Sequence, residues 1–222
     1  MKFSTKINFT DRESKAHYVW DKYKEILTGK VLDVGADQMH LRQYLSDATE
    51  YVGVGLGSGP MINLNLETEK LPFDDNYFDS VLCLDVLEHV ENPHEVFDEL
   101  CRVSARHVIL SFPNAWASLY ATLRFGDYKT GTALKFYGLP TEVPEDRHKW
   151  FFNNTEAREF LASRSYANGM TTVQLDEIGV AREGRRLRGQ LRRLGYWLLF
   201  DRGLSRADMY ALTLWAVLKK DS

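Results

Sequence analysis

The chain has almost no cysteine. Cys83 and Cys101 are the only two in 222 residues, both lie among apolar neighbours, and neither stands at a metal-ligand spacing. They read as reduced core residues of a cytosolic protein. Long apolar runs are missing too, so no stretch approaches what a membrane span needs. The opening MKFSTKINFTDRESK has no apolar h-region and does not read as a signal peptide. Charge of one sign is not in excess: the net charge of -3 gives no whole-molecule case for nucleic acid. The six histidines show no ligand spacing with cysteines or acids, and no metal is expected. Repeats, low-complexity tracts and linkers are absent. What remains is a globular composition, long enough for one α/β domain with a filled core, expected to be soluble and cytoplasmic.

Hydrophobic periodicity organises the first half. Ala16, Val19, Trp20, Tyr23, Ile26 and Leu27 predict a helix over 12–28 that ends at Gly29. Val31 to Val34 reads as a buried strand, Leu41, Tyr44 and Leu45 suit a helix over roughly 39–47, and Tyr51 to Val54 is a second strand. The run GVGLGSGP, Gly53 to Pro60, must be a loop. Ser80 to Leu84 is another strand, and His107 to Phe112 a further one, stopped by Pro113. Between them Asn92 caps and Pro93 opens a helix whose stripe is Val96, Phe97, Leu100 and Val103, with Glu95, Asp98, Glu99 and Arg102 facing water. Alternating strands and helices imply a parallel sheet with right-handed crossovers.

The second half is less regular. Residues 115–150 predict a short helix and a long loop, Thr155 to Ser163 a helix capped by Thr155, and Thr171 to Ile178 and Met209 to Leu218 closing strands. Arg182, Arg185, Arg186, Arg188, Arg192 and Arg193, with Leu187, Leu191, Leu194 and Leu198, make a basic amphipathic helix. Its usual role is a solvated face packing leucines on the sheet. It could also meet an anionic membrane surface or an anionic acceptor.

An open parallel sheet binds ligands at the carboxyl ends of its strands. That selects Asp33 to Met39, Val54 to Gly57, Leu84 to Val90 and Ser111 to Asn114 as one crevice. A dinucleotide fingerprint does not fit, because Pro60 and a strand-like MINL follow the glycines, and Gly55 stands where a dehydrogenase needs its acid.

The stretch LPFDDNYFDSVLCLDVLEHVENPHEVFDEL narrows the chemistry. Leu71-Pro72-Phe73, Phe78-Asp79 and Asp85 to Val90 fall in the order and spacing of the class I S-adenosylmethionine-dependent methyltransferases. Over about Val31 to Asn114 the chain resembles their small-molecule branch, methyltransferase type 11, related to ubiquinone- and methionine-biosynthesis methyltransferase domains. The resemblance implies a Rossmann-like, doubly wound, mostly parallel seven-stranded sheet with an antiparallel closing strand. It also implies S-adenosylmethionine as cofactor, held by Asp33, Gly35, Asp37, Gly55, Leu56, Asn65, Leu66, Leu84 and Asp85. Four positions depart from the family pattern. Asp37 and Met39 replace turn glycines, Gly55 stands where a carboxylate would grip the ribose, and Asn65 replaces the acid that reads adenine.

In related domains the segment after the fifth strand covers the acceptor, which makes PEDRHKWFF, Pro144 to Phe152, the substrate side. His148 has the pKa range of a general base, and Asn114, Trp116 and Tyr137 could line the same pocket. Glu88-His89 reads as a segment packed under the cofactor, since adjacent positions on an element do not face each other. The expectation is a single domain over 1–222, with an acceptor-side cap at about 115–153 and a basic helical insertion at about 182–203. Its reaction is methyl transfer to a small-molecule or glycan- or lipid-linked acceptor. The rival reading is a non-catalytic, methyltransferase-like regulatory or partner-binding protein.

Overall fold

The computed structural model describes residues 9, 11–125, 132–139, 141–144, 146–178 and 205–221. The basic segment 182–203 lies outside them. Seven strands form one sheet: β1 (Lys30–Val34), β2 (Glu50–Gly55), β3 (Ile62–Asn63), β4 (Phe78–Leu84), β5 (Ser104–Pro113), β6 (Met170–Ile178) and β7 (Thr213–Lys220). Their order is β3-β2-β1-β4-β5-β7-β6. The first five are parallel, and β7 runs antiparallel between β5 and β6. Strand order reverses at β1, where β1 pairs with β2 on one side and β4 on the other, so a crevice opens above its tip.

Period-two side-chain alternation explains why the central strands read as unbroken apolar runs. Val81 and Cys83 face one core, while Leu82 faces the other. Val108 and Leu110 are separated from Ile109 in the same way, and Leu214, Ala216 and Leu218 from Trp215 and Val217. Helices α2 (Pro93–Val103) and α5 (Asn154–Ala167) cover the first face, and α1 (Arg12–Tyr23) the second. Both cysteines are buried and free, as their context implied. On the α1 face Lys22 is also buried; its ammonium pairs with Asp176 at 2.8 Å and lies 5.5 Å from the Trp215 ring centre. No helix among the described residues is long and apolar enough to cross a membrane.

Several boundaries depart from the sequence reading for identifiable reasons. The helix predicted over 39–47 is only a 3-10 turn, His40–Tyr44, because Asp37 and Met39 both take left-handed backbone angles, φ 45° and 54°. These two side chains therefore occupy the conformation glycine would have supplied. Asp tolerates it, and Met does so at a cost. Asn92 precedes α2 without capping it; its amide donates instead to Leu66 and Glu95. Arg102 does not face water but binds the carbonyls of Leu71 and Phe73 and the acids Asp75 and Glu99, pinning the loop before β4.

The second half holds α3 (Ala115–Phe125) and α4 (Thr132–Tyr137) before the long loop. Helix α5 starts one turn-position earlier than predicted, capped by Asn153 with Glu156 closing the reciprocal bond. Thr155 is instead held by Asp208, which accepts its N–H at 2.8 Å and its hydroxyl at 2.9 Å. Met209, expected in a strand, belongs to the short helix α6 (Arg206–Tyr210), and the closing strand begins at Thr213.

Candidate active site

A cavity of about 570 Å3 opens at the carboxyl ends of β1 and β4, with α1 along one wall and Phe136, Tyr137, Asp146 and His148 along the other. The β1 end supplies Asp33, Gly35 and Asp37. Gly35 sits at φ 79°, and a Cβ there would run into the Val86 side chain. Only glycine lets the turn pass this close to the β4 tip. Asp33 is buried and accepts the Tyr51 hydroxyl at 2.7 Å. Burial pushes its carboxyl up to about 6, against the pull of Tyr51 and Lys15. Asp37 lies at the rim, ion-paired with Arg12 from α1. The Met39 side chain stays out of the cavity and packs on the backbone of Gly53.

The β4 end is more crowded. Asp85 holds a left-handed angle, φ 55°, a conformation costly for a non-glycine residue and typical of functional turns. Its carboxylate accepts Lys15 at 2.6 Å and the Ser111 hydroxyl at 2.5 Å. Burial opposes ionisation there, yet these partners hold the carboxyl below its ordinary value. A 3-10 turn, Leu87–His89, follows. Glu88 is 1% exposed, and neither carboxylate oxygen finds a hydrogen-bond partner among the described residues. Burial, with Asp85 nearby, drives its pKa well up.

Two imidazoles complete this end. His89 places Nδ1 2.9 Å from Asp146 and 3.0 Å from the Arg147 carbonyl. His148 places Nδ1 3.0 Å from the Tyr137 hydroxyl, which itself donates to the Trp150 carbonyl at 2.9 Å. His148 stacks on Phe136, 3.9 Å between ring centres. Burial first, and then the neighbouring His89, lower its pKa to about 4, so it is neutral at physiological pH. The covering segment is tied to the sheet where the Lys149 N–H meets the Glu88 carbonyl at 2.7 Å and the Trp150 indole meets the Val90 carbonyl at 2.7 Å.

Of the residues singled out from the sequence, the cavity gathers Asp33, Gly35, Asp37, Leu84, Asp85, Tyr137 and His148. It does not include Gly55, Leu56, Asn65, Leu66, Asn114 or Trp116. Gly55 ends β2 under Pro60, and Leu56 is 69% exposed. The Asn65 side chain accepts the Glu67 N–H in its own turn, and Leu66 packs against the core. Asn114 is buried with its amide on the carbonyls of Ala207, Asp208 and Ala211, a structural clamp between β5 and α6. Sequence reasoning missed Arg12 and Lys15 as wall residues, and it placed the segments holding Glu88, His89 and Asp146 at the crevice without giving those three side chains a part in it. Arg12 and Lys15 lie one turn apart on the polar edge of α1, which was the available signal. Glu88 and His89 were set aside for adjacency, but the tight 3-10 turn and the returning loop bring both to the cavity. One ligand atom each from Glu88, His89 and His148 lie within 4.8 Å of one another. Histidine spacing along the chain could not show a cluster that forms between two distant loops.

Residues 32–112 match the family model described as a methyltransferase domain. The matched span is about a third of the chain, and the strand order is that of the class I fold of S-adenosylmethionine-dependent methyltransferases. An S-adenosylmethionine-dependent methyltransferase from Archaeoglobus fulgidus superposes with a TM-score of 0.59 at 13% identity, over 94% of this chain and 95% of that one. Magnesium protoporphyrin IX methyltransferase from Synechocystis PCC 6803, solved with bound SAH, gives 0.52 at 17% identity, over 94% and 83%. The [4+2]-cyclase SpnF gives 0.53 at 11% identity, over 94% and 80%. At such identities the likeness is one of fold, and a cyclase on it shows that fold alone does not name the reaction. No curated protein matches the chain by sequence.

Proposed function

We propose that the chain transfers a methyl group from S-adenosylmethionine to a small-molecule or glycan- or lipid-linked acceptor. The carrying observation is the cavity at the β1 and β4 tips, walled by Asp33, Asp37, Asp85 and Glu88 and crossed by the unobstructed backbone of Gly35. The cofactor is cationic at its sulfonium and ammonium, and this wall fits that end. Two of the acids, Asp37 and Asp85, are already partnered by Arg12 and Lys15; burial favours the neutral form of Glu88, which leaves Asp33 as the acid without a lysine or arginine ion pair. The adenosine end would meet backbone and apolar groups along β2 and β3, since Gly55 and Asn65 offer no carboxylate.

Bound there, the cofactor supplies an activated methyl group that an acceptor atom displaces in line. The protein's share is to hold the acceptor on that line, a positioning effect worth many orders of magnitude in rate. Phe136 and Tyr137 wall the acceptor side of the cavity. His148, neutral and with Nδ1 committed to Tyr137, keeps Nε2 as the basic atom that orients or deprotonates the acceptor.

Calorimetric titration with S-adenosylhomocysteine tests this reading. Saturable binding with a micromolar to sub-millimolar Kd is expected. No detectable heat at millimolar ligand would abandon it in favour of a partner-binding protein on a methyltransferase scaffold.

A further inference from the structure

We propose that Glu88, His89 and His148 bind a divalent transition-metal ion at the acceptor end of the cavity. The ligand atoms come from two elements. Glu88 and His89 sit on the 3-10 turn after β4, and His148 comes from the loop that returns over it. One atom from each lies within 4.8 Å of the others. Tetrahedral bonds of about 2.1 Å need ligand atoms about 3.4 Å apart, so side-chain adjustments of roughly 1 Å close the site.

Proton accounting gives the stronger argument. Asp146 and the Arg147 carbonyl are both acceptors, so His89 must carry its proton on Nδ1. The Tyr137 hydroxyl gives its only proton to the Trp150 carbonyl, so His148 also carries its proton on Nδ1. Each ring thus has Nδ1 occupied and Nε2 free of these partners. His89 Nε2 stands 3.7 Å from Glu88 Oε1, beyond hydrogen-bond distance. The Glu88 carboxyl group is 1% exposed and finds no donor among the described residues. A buried carboxyl group without a donor, beside two imidazoles already held through their other nitrogen, is a ligand set that a divalent cation would satisfy by displacing any proton it carries.

The outer contacts fit the same reading. A ligating histidine typically gives its other N–H to a carboxylate or another acceptor, which fixes the ring and raises its basicity. Asp146 and Tyr137 stand in those positions. Two imidazoles and one carboxylate suit zinc and the later first-row ions, not magnesium or calcium, which prefer all-oxygen shells. Such an ion would fasten the covering loop to the β4 tip; with the ion bound, His148 Nε2 is a ligand and no longer the basic atom that meets the acceptor. It would leave open positions toward the cavity for an oxygen of the acceptor. That last role rests on the methyl-transfer reading, whereas metal binding does not.

The test is titration of metal-free protein with zinc chloride, and separately magnesium chloride, followed by calorimetry and thermal melting. One zinc per chain is expected, with a rise in Tm and no response to magnesium. Glu88→Gln and His148→Asn should each weaken zinc binding on the order of 100-fold or more, and Asp146→Asn about tenfold. His94→Asn, outside the cluster, should leave it unchanged. Glu88→Gln removes a buried unpartnered carboxylate and should fold at least as stably as the parent without metal, so it keeps the test decisive if His148→Asn misfolds. Wild-type protein that binds no zinc below millimolar concentration overturns the site. Zinc binding that survives Glu88→Gln undiminished also overturns it, and would mean that a proton, not a metal, lies between Glu88 and His89. Titrating S-adenosylhomocysteine into the same samples separates the two readings, because either ligand can fail while the other binds.

Discussion

The tips of β2 and β4 lie on either side of β1 and differ in every way that matters to a ligand. The β2 tip is Gly55-Leu56-Gly57-Ser58-Gly59-Pro60, without a charge, and it folds back so that a side chain on Gly59 would strike the Asp37 carbonyl. The β4 tip carries Asp85 in a left-handed conformation, the orphaned Glu88, two histidines, and a lysine from α1. One tip can offer a ligand only shape and backbone groups. The other offers fixed charge and basic nitrogens in a partly closed space, where electrostatic effects are strong. On the proposed methyl-transfer reading, the contrast puts recognition and chemistry on different strands.

The largest effect is expected at the turn that joins the tips. Gly35→Val places a branched side chain at φ 79° and against Val86. It should reduce S-adenosylhomocysteine affinity by at least about 100-fold and cost roughly 2–4 kcal/mol of stability. Retained affinity would mean the cofactor does not cross this turn, and the contrast between tips would lose its meaning for binding. Next comes the β5 tip. Asn114→Ala would remove the amide from the buried carbonyls of Asp208 and Ala211, while Ala207 keeps the Ala211 N–H, at about 2–3 kcal/mol. A large fall in Tm with unchanged ligand affinity would confirm that only β1 and β4 serve the site. A selective loss of affinity would restore Asn114 to it.

Those two positions also show what could be read from the residues alone. The parallel strands were visible because both faces are buried, so VLDV and SVLCL announce themselves without knowledge of neighbours. The wall acids Asp33 and Asp85 followed from the rule that ligands gather at strand ends. Choices among equivalent local signals were not visible. Asn153, Asn154 and Thr155 can all cap a helix, and the selection of Asn153 depends on Asp208 arriving from 53 residues away to claim Thr155. Asn114 has the polarity of a substrate contact, yet α6 claims its amide. The 3-10 turn at His40 replaces an α-helix because two left-handed residues precede it, a conformation sequence periodicity does not report. The Glu88, His89 and His148 cluster needed the covering loop to be in place.

A smaller effect distinguishes the acids. Asp33 titrates near 6 in the folded chain against an ordinary 3.8. The folded state therefore holds a proton that the unfolded state releases between these values, and wild-type stability falls as pH rises from about 4 to about 6. Asp33→Asn keeps an acceptor for Tyr51 and has no such titration. Its stability advantage should grow across that window and level off above it, at no more than about 3 kcal/mol. Melts from pH 4 to pH 8 measure the difference. Parallel profiles for the two proteins would show that Asp33 is ionised throughout, so that the β1 end carries an ionised carboxylate as the β4 end does.

The finest test adds charge where the β2 tip lacks it. Gly55→Asp puts a carboxylate where the family pattern expects one to meet the ribose hydroxyls. A charge-assisted hydrogen bond contributes about 1.5–3 kcal/mol. Against it, the new Cβ lies 3.2 Å from Pro60 Cγ and 3.6 Å from the Ala36 nitrogen. Pro60 must then yield by a few tenths of an ångström, at a cost near the lower end of the ~1–3 kcal/mol typical of overpacking. That cost falls on the free and the bound chain alike, so it lowers Tm by a few degrees and leaves the binding gain, about tenfold for S-adenosylhomocysteine at the lower end of that range. Tightening would show that the ribose passes the β2 tip. Weakening with only that small fall in Tm would show instead that the folded-back loop occupies the ribose position. The donor would then be gripped from the β1 and β4 side alone.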